Sequence, residues 1–358
     1  MNVLRSLLQS YVVMNGRGNP VNYREFEMMN TKMKLIVAAI LTAIATSSYA
    51  QTICVFDPLG SQGDNYSLMK DYSVAAKQWG ADISLKPYPD EKLAAADFKS
   101  GKCDGAALTS IRSRSINDFV GTISAPTAIV SREQTKTILA LMGNPKLAPD
   151  MLANGAEVVG VSSLGFAYIV TRDRNVNTLT ELAKLRFGAL SFDKVQKMVI
   201  ERIGGTAVPM ELSEVGSKFN SGQVDAVLVP AVAFKPLELN KGVGTKGGIV
   251  TFPVALMTLN VLISPDKFPD GYGQKSRNWF VSQIDRQMGM VTKIEKSIDP
   301  SYWSNVPANI APGYFKLMRE ARIGFTKDGV YSKKMVGILK KIRCRQDPTN
   351  YECPLKDE

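Results

Sequence analysis

The sequence predicts an α/β fold in two similar lobes, each a mostly parallel sheet flanked by helices, with two strands crossing between them. Three observations carry this. The first is an internal repeat: Phe98-Lys-Ser-Gly-Lys-Cys-Asp104-Gly-Ala-Ala-Leu108 and Phe219-Asn-Ser-Gly-Gln-Val-Asp225-Ala-Val-Leu-Val229 share the frame F-x-S-G-x-x-D followed by a small, apolar run. Each copy reads as the last turn of a helix, a glycine stop, a turn bearing an aspartate and a buried strand. Glycine ends a helix in the left-handed region without Cβ strain, and an apolar run without polar alternation suits a parallel strand covered on both faces. The second observation is that each copy closes a β-α-β-α-β series. The third is a pair of apolar strand-like stretches, 167–171 and 254–263, placed to leave one lobe and return to it.

In chain order, Thr52–Phe56 is a strand and Asp57–Asp64 a polar, glycine-rich loop. Tyr66–Trp79 has helical spacing of Leu68, Tyr72, Ala75, Ala76 and Trp79, with Gly80 as its stop. Asp82–Pro87 is the second strand, and Leu93–Lys99 is the helix that enters the first repeat. Residues 115–157 read as helical, broken at Pro126, Pro145 and Pro149. Glu157–Val161 and Ala167–Thr171 read as two strands. The second lobe then runs strand Leu185–Leu190, a loop and helix cap at Ser191–Asp193, helix Val195–Ile203 stopped by Gly204-Gly205, strand Thr206–Met210, and helix Glu214–Asn220 into the second repeat. Val254–Ile263 crosses back. Trp279–Ile298 and Tyr314–Ile323 are terminal helices. The expected division is 51–168 plus 255–300 for lobe one, 169–254 for lobe two, and 301–358 for C-terminal helices and a tail.

Met33–Ala50 has the form of a secretory signal: Lys34, an apolar run over Leu35–Ala45, and Ser48-Tyr49-Ala50 ahead of a cut before Gln51. That run is shorter than the roughly 20 residues of a membrane span. Residues 1–32 fit no targeting pattern and read as a mis-start or a disordered leader. The expected location is therefore the periplasm. Removing the five basic and two acidic residues ahead of Gln51 from the 44 and 33 of the whole chain leaves 39 against 31, a balance of +8. The excess is dispersed, and its densest run, Lys333–Lys341, is the solvated face of a helix. No nucleic-acid partner is expected. Four cysteines in an exported chain point to disulfides. Three connectivities are open. Cys54 with Cys103 and Cys344 with Cys353 are favoured, because the first two lie on neighbouring strands and the second two flank a turn-rich stretch.

The chain has no histidine, which removes Ser-His-Asp and Cys-His catalysis and the commonest metal ligand. No phosphate-loop or nucleophile-elbow fingerprint occurs. No enzyme activity, cofactor or metal is expected. An aspartate at a strand end, such as Asp57, is commonly a turn or cap residue. In open sheets ligands meet the loops at the carboxyl ends of the strands. That rule nominates Asp57, Gln62, Asp64 and Tyr66 from the first loop, and Thr109, Ser110 and Arg112 after the first repeat. In lobe two it nominates Ser191, Phe192, Asp193, Pro230 and Phe234. Ser162, Phe166 and Asn260 fall at the hinge. Arg112 and Arg114 can each supply positive charge from lobe one.

Beyond the duplicated grammar, Tyr168-Ile-Val-Thr…Asn177-Thr-Leu-Thr-Glu-Leu-Ala-Lys-Leu-Arg-Phe-Gly188 is similar to the strand followed by S-x-x-D-L-K-G-L-K-I-R in receptors of tripartite ATP-independent periplasmic (TRAP) transporters. The resemblance covers most of 51–330. It implies a type II periplasmic-binding-protein-like fold that captures a small organic ligand between its lobes and delivers it to membrane transporter subunits. The chain resembles still more the Acinetobacter group labelled AdeT, which implies an alternative role beside RND-type efflux components in aminoglycoside resistance. Neither many membrane spans nor a sustained heptad hairpin supports that alternative. TRAP receptors place an arginine at the end of the lobe-two strand to clamp a carboxylate. The aligned residue here is Gly188, so that specificity is not implied. Arg186 shares its strand parity.

Overall fold

The computed structural model describes residues 50–176 and 178–358. The leader and all but the last residue of the signal-like segment lie outside the described residues, as does Asn177 of the motif above. The strands are β1 (Gln51–Phe56), β2 (Ile83–Tyr88), β3 (Gly105–Thr109), the short β4 (Leu152–Ala153), β5 (Ala156–Thr171), β6 (Arg186–Leu190), β7 (Thr206–Met210), β8 (Ala226–Pro230), the short β9 (Gly248–Val250), β10 (Ala255–Ile263) and β11 (Trp303–Ser304). They form one sheet with the main path β2-β1-β3-β10-β5-β8-β6-β7. β1 is parallel to β2 and β3, and β6 to β7 and β8. β10 is antiparallel to β3 and β5, and β5 to β8.

That order is a palindrome. Lobe one is β2-β1-β3 closed by β10; lobe two is β7-β6-β8 closed by β5. Each lobe therefore takes its last strand from the crossing pair. The crossing element expected as two short strands is one, Ala156–Thr171, buried along nearly its whole length. The intervening Ser162–Phe166 stays in the strand because its backbone pairs with β10 through two register shifts, at Met257/Thr258, where Leu164 is skipped and Gly165 takes φ 83°, and at Val261/Leu262.

The repeated aspartates do the same work in both lobes. The backbone N–H of Asp104 donates to Thr52 O at 2.8 Å, and its carboxylate accepts from Thr52 N at 2.8 Å. Asp225 N donates to Arg186 O at 2.8 Å, and its carboxylate accepts from Arg186 N at 2.9 Å. The carbonyls of Asp104 and Asp225 accept from Ser264 N and Arg172 N, which end the two crossing strands. Each aspartate thus sets the register between the central strand of its lobe, the repeat strand and the crossing strand. The glycines that stop the preceding helices, Gly101 and Gly222, have φ of 75° and 79°, a region costly to residues with a Cβ.

Helices α1 (Asp64–Ala76), α2 (Glu91–Lys99) and one-turn α3 (Ser110–Ser113) serve lobe one. α4 (Arg132–Leu141) falls within the stretch expected to be broken helix. α5 (Lys194–Arg202) and α6 (Val215–Asn220) serve lobe two. The single helix expected over Trp279–Ile298 is two, α7 (Tyr272–Ser282) and α8 (Ile284–Ser297), meeting at Gln283. α9 (Ala311–Lys327) and α10 (Lys333–Gln346) follow. Both disulfides form: Cys54–Cys103 joins β1 to the start of β3, and Cys344–Cys353 staples the tail to α10.

The tail is also held by charge. Arg322 is fully buried and donates to Pro126 O, Thr127 Oγ1, Glu352 and Glu358. Arg343 donates to Ala128 O and to the same two glutamates. Thr127, held by Arg322, is a non-glycine residue at φ 50°.

Removing the Asp104 carboxylate leaves Thr52 N without its acceptor. Asp104→Ala is expected to cost about 2 kcal/mol, read as a lower midpoint in urea unfolding with an unchanged slope.

Candidate functional site

The carboxyl ends of the parallel strands in both lobes point at a shared seam. Lobe one presents α3, which follows β3 directly; Thr109 caps it by accepting from Arg112 N at 3.3 Å. Lobe two presents the turn Ser191–Asp193, where Asp193 caps α5 by accepting from Val195 N at 3.0 Å. Besides the β5–β10 ladder, two side-chain contacts join these elements. Arg114 Nη1 donates to Asp193 Oδ1 at 3.1 Å, and both side chains are almost entirely buried. The Arg112 guanidinium lies 3.2 Å from the centre of the Phe192 ring, a cation–π contact. Together these join the end of α3 to the Ser191–Asp193 turn.

Behind the Arg114–Asp193 pair is a cavity of about 70 Å³. Its walls come from α3 (Ile111), from the crossing strands (Ile169, Met257), from lobe two (Phe187, Val199, Leu228) and from α9 (Met318). Of all its lining residues only Arg114, Ser124, Asp193 and Gln196 are polar. Burial pushes the Asp193 carboxyl above its ordinary value, against the opposing pull of Arg114 and of the backbone N–H groups of Val195 and Gln196.

Glu91, at the start of α2, was not singled out from the sequence. It is buried, accepts from Thr109 N at 2.6 Å, and stands 3.6 Å from Arg112 Nε. Burial raises its pKa, while Thr109 and Arg112 lower it. It orients Arg112 towards Phe192. The Arg114 guanidinium lies 5.3 Å from the ring centre of Tyr331, whose buried hydroxyl has no hydrogen-bond partner among the described residues.

Among the residues nominated from the sequence, Asp193 lines the cavity, and Arg112 and Phe192 close the seam. The others have different duties. Asp57 is buried and caps α1, accepting from Leu59, Asn65 and Tyr66 N–H groups at 2.9, 2.9 and 3.2 Å. Burial raises its pKa against these three bonds. Gly63 is what lets the carboxylate reach the helix, since a Cβ there would stand 1.8 Å from Asp57 Oδ1. Gln62 and Asp64 are exposed, and the Tyr66 hydroxyl donates to Leu85 O at 3.4 Å. Ser110 Oγ accepts from Thr258 N at 3.3 Å, and Asn260 donates to Ser113 Oγ at 2.8 Å, so both tie α3 to β10. Ser162 and Phe166 lie in the crossing pair opposite Leu259 and Leu256. Ser191 Oγ donates to Met210 O at 3.1 Å. Pro230 pairs with Ala167, and Phe234 packs on Tyr302 at a ring separation of 5.6 Å.

Gly188 borders the cavity, but a Cβ on it would stand 2.8 Å from Met210 Cε and 3.1 Å from Val227 Cγ1. Apolar side chains fill the space a larger residue would need. Arg186 does not replace the missing cation, because its Nε and Nη2 donate to Asp225 at 2.9 and 2.7 Å at the opposite end of β6.

Residues 72–358 match the family model described as solute-binding protein AdeT 1/2. The chain belongs to the AdeT 1/2 family of solute-binding proteins. It is 43% identical over 304 residues to the "Probable solute-binding protein AdeT1" of Acinetobacter baumannii, spanning 85% of this chain and all of that one. It is 25% identical over 236 residues to the "Probable solute-binding protein AdeT2" of the same organism, spanning 66% of this chain and 99% of that one. Its fold matches solved TRAP periplasmic solute-binding proteins. One from Desulfovibrio salexigens with bound orotic acid gives a TM-score of 0.67 at 12% identity, over 83% of this chain and 99% of that one. One from Sulfurospirillum deleyianum with bound succinate gives 0.65 at 15% identity, over 82% and 100%. The two-lobed α/β fold is that of these receptors, and the AdeT 1/2 chain carries it with an apolar lining and no arginine at position 188.

Replacing Arg114 by alanine leaves Asp193 buried without its counter-ion. A loss of about 3 kcal/mol is expected in chemical denaturation. Small-angle scattering is expected to show a larger radius of gyration for this variant than for the parent, as the lobes part.

Proposed function

We propose that this chain is a periplasmic receptor that closes its two lobes over one small organic solute and hands it to membrane transporter subunits. The observation that carries this is the cavity behind Arg114 and Asp193, which draws its walls from both lobes and both crossing strands. A site assembled from two bodies binds by their closure, which expels water and strengthens each polar contact inside. The TRAP proteins of the same fold were solved with small organic acids such as orotic acid and succinate. Arg112, Phe192, Arg114 and Asp193 are the residues we assign to closure and capture. The chain is read as a carrier without turnover, exported by cleavage before Gln51.

The efflux reading has less to stand on. A polycationic aminoglycoside calls for several free carboxylates. Among the described residues Asp193 is the one carboxylate in the lining, and Arg114 already engages it. No helix among the described residues is long and apolar enough to cross a membrane.

Native mass spectrometry of the protein taken from its own periplasm tests the proposal. The expected spectrum shows a chain beginning at Gln51 with one small organic molecule retained, released on mild unfolding. A chain that carries no solute, and that no organic solute stabilises in thermal shift, would overturn it.

A further inference from the structure

The cavity constrains the chemistry of its ligand, given the receptor reading on which this inference rests. Arg114 comes from lobe one and Asp193 from lobe two, so any solute held between the lobes at this point meets both charges. The pair is loosely made. The bonds of Arg114 to Asp193, Ser124 Oγ and Gly121 O measure 3.1, 3.4 and 3.5 Å, against roughly 2.7–2.9 Å for a close charge-assisted contact. A guanidinium offers five N–H donors, so capacity remains for a ligand. Parting the pair has a strict consequence, because both side chains are buried. A ligand bearing only an anion would satisfy Arg114 and strand Asp193. One bearing only a cation would do the reverse. A buried charge stripped of its partner is strongly unfavourable. A solute carrying both signs on adjacent atoms satisfies both ends.

Of the other two polar lining residues, Ser124 Oγ donates to Gly121 O at 3.0 Å and Gln196 Oε1 accepts from Leu190 N at 2.9 Å, and the remaining walls are apolar and favour a hydrocarbon over a hydroxylated body. At about 70 Å³ the cavity is about half the roughly 150 Å³ void that accepts benzene. It suits a branched chain of a few carbons.

We propose that the ligand is an aliphatic α-amino acid, with its carboxylate on Arg114, its ammonium on Asp193 and its side chain in the apolar cavity. This replaces the single-carboxylate clamp that Gly188 cannot provide.

The test is isothermal titration calorimetry of the exported protein, freed of solute by unfolding and refolding, with L-leucine, 4-methylpentanoate and 3-methylbutylamine. L-leucine is expected to bind, and the two single-charge analogues at least about 100-fold more weakly. Arg114→Gln and Asp193→Asn are each expected to weaken leucine binding, with circular dichroism confirming that they fold. Asp193→Asn carries a second signature that a purely structural role would not produce: it no longer strands a charge, so 4-methylpentanoate is expected to bind it more tightly than it binds the parent. Equal binding of leucine and 4-methylpentanoate by the parent overturns the inference. So does native co-purification of a solute of another class, which leaves the receptor reading standing. Absence of any bound or co-purified solute overturns both.

Discussion

The antiparallel pairing of Ala156–Thr171 with Ala255–Ile263 is the constraint on which the rest of the structure depends. Both strands are buried, so their backbone groups must be paired within the protein, and the ladder between them and their outer neighbours does this. Because β10 closes lobe one and β5 closes lobe two, the seam between lobes is also the seam between these strands. Ser110 and Asn260 fasten α3 to β10. The position of Arg114, just past α3, follows from that attachment. Asp193 is placed by its own cap at the head of α5. The cavity is what remains between these two fixed points.

Charge is handled differently in the seam and in the tail. In the seam one arginine meets one aspartate through a single bond of 3.1 Å. In the tail Arg322 and Arg343 share Glu352 and Glu358, and their Nη1 groups reach the carbonyls of Pro126 and Ala128. Closely paired buried charges of this kind resist separation. They hold the segment around Thr127, beside the cavity wall at Pro126, in a left-handed turn that a threonine would not choose unaided.

Much of the scaffold was legible in the sequence because it is written in local signals. Glycine stops, apolar runs and the repeated F-x-S-G-x-x-D frame act within a few residues, and the two lobes followed from reading them twice. The long crossing strand reads as two because Ser162, Ser163 and Gly165 weaken its apolar pattern, and only pairing with β10 carries the strand through that bulge. The site was less legible. Arg112 and Arg114 stand three and five residues past the end of β3, and nothing local distinguishes the residue that stacks on Phe192 from the one that meets Asp193. Asp57 and Asp193 both follow a strand and both cap a helix, yet only Asp193 faces the seam. Glu91 and Met318 gave no signal, since their partners lie far away in sequence. An amphipathic helix such as α9 reveals that it has a buried face but not what it covers.

The exchange of edge strands imposes an order of assembly. All four strands of the second lobe, β5 to β8, are contiguous in the chain, so that half can complete its sheet as soon as residue 230 is available. The first lobe is translated earlier but lacks its closing strand until residue 263 arrives. Its β3 edge stays open meanwhile, with unpaired N–H and C=O groups that could recruit another chain. The Cys54–Cys103 bridge lies at that same edge. It ties β1 to the start of β3 independently of β10, a covalent hold that the β3 edge keeps whether or not its closing strand is in place.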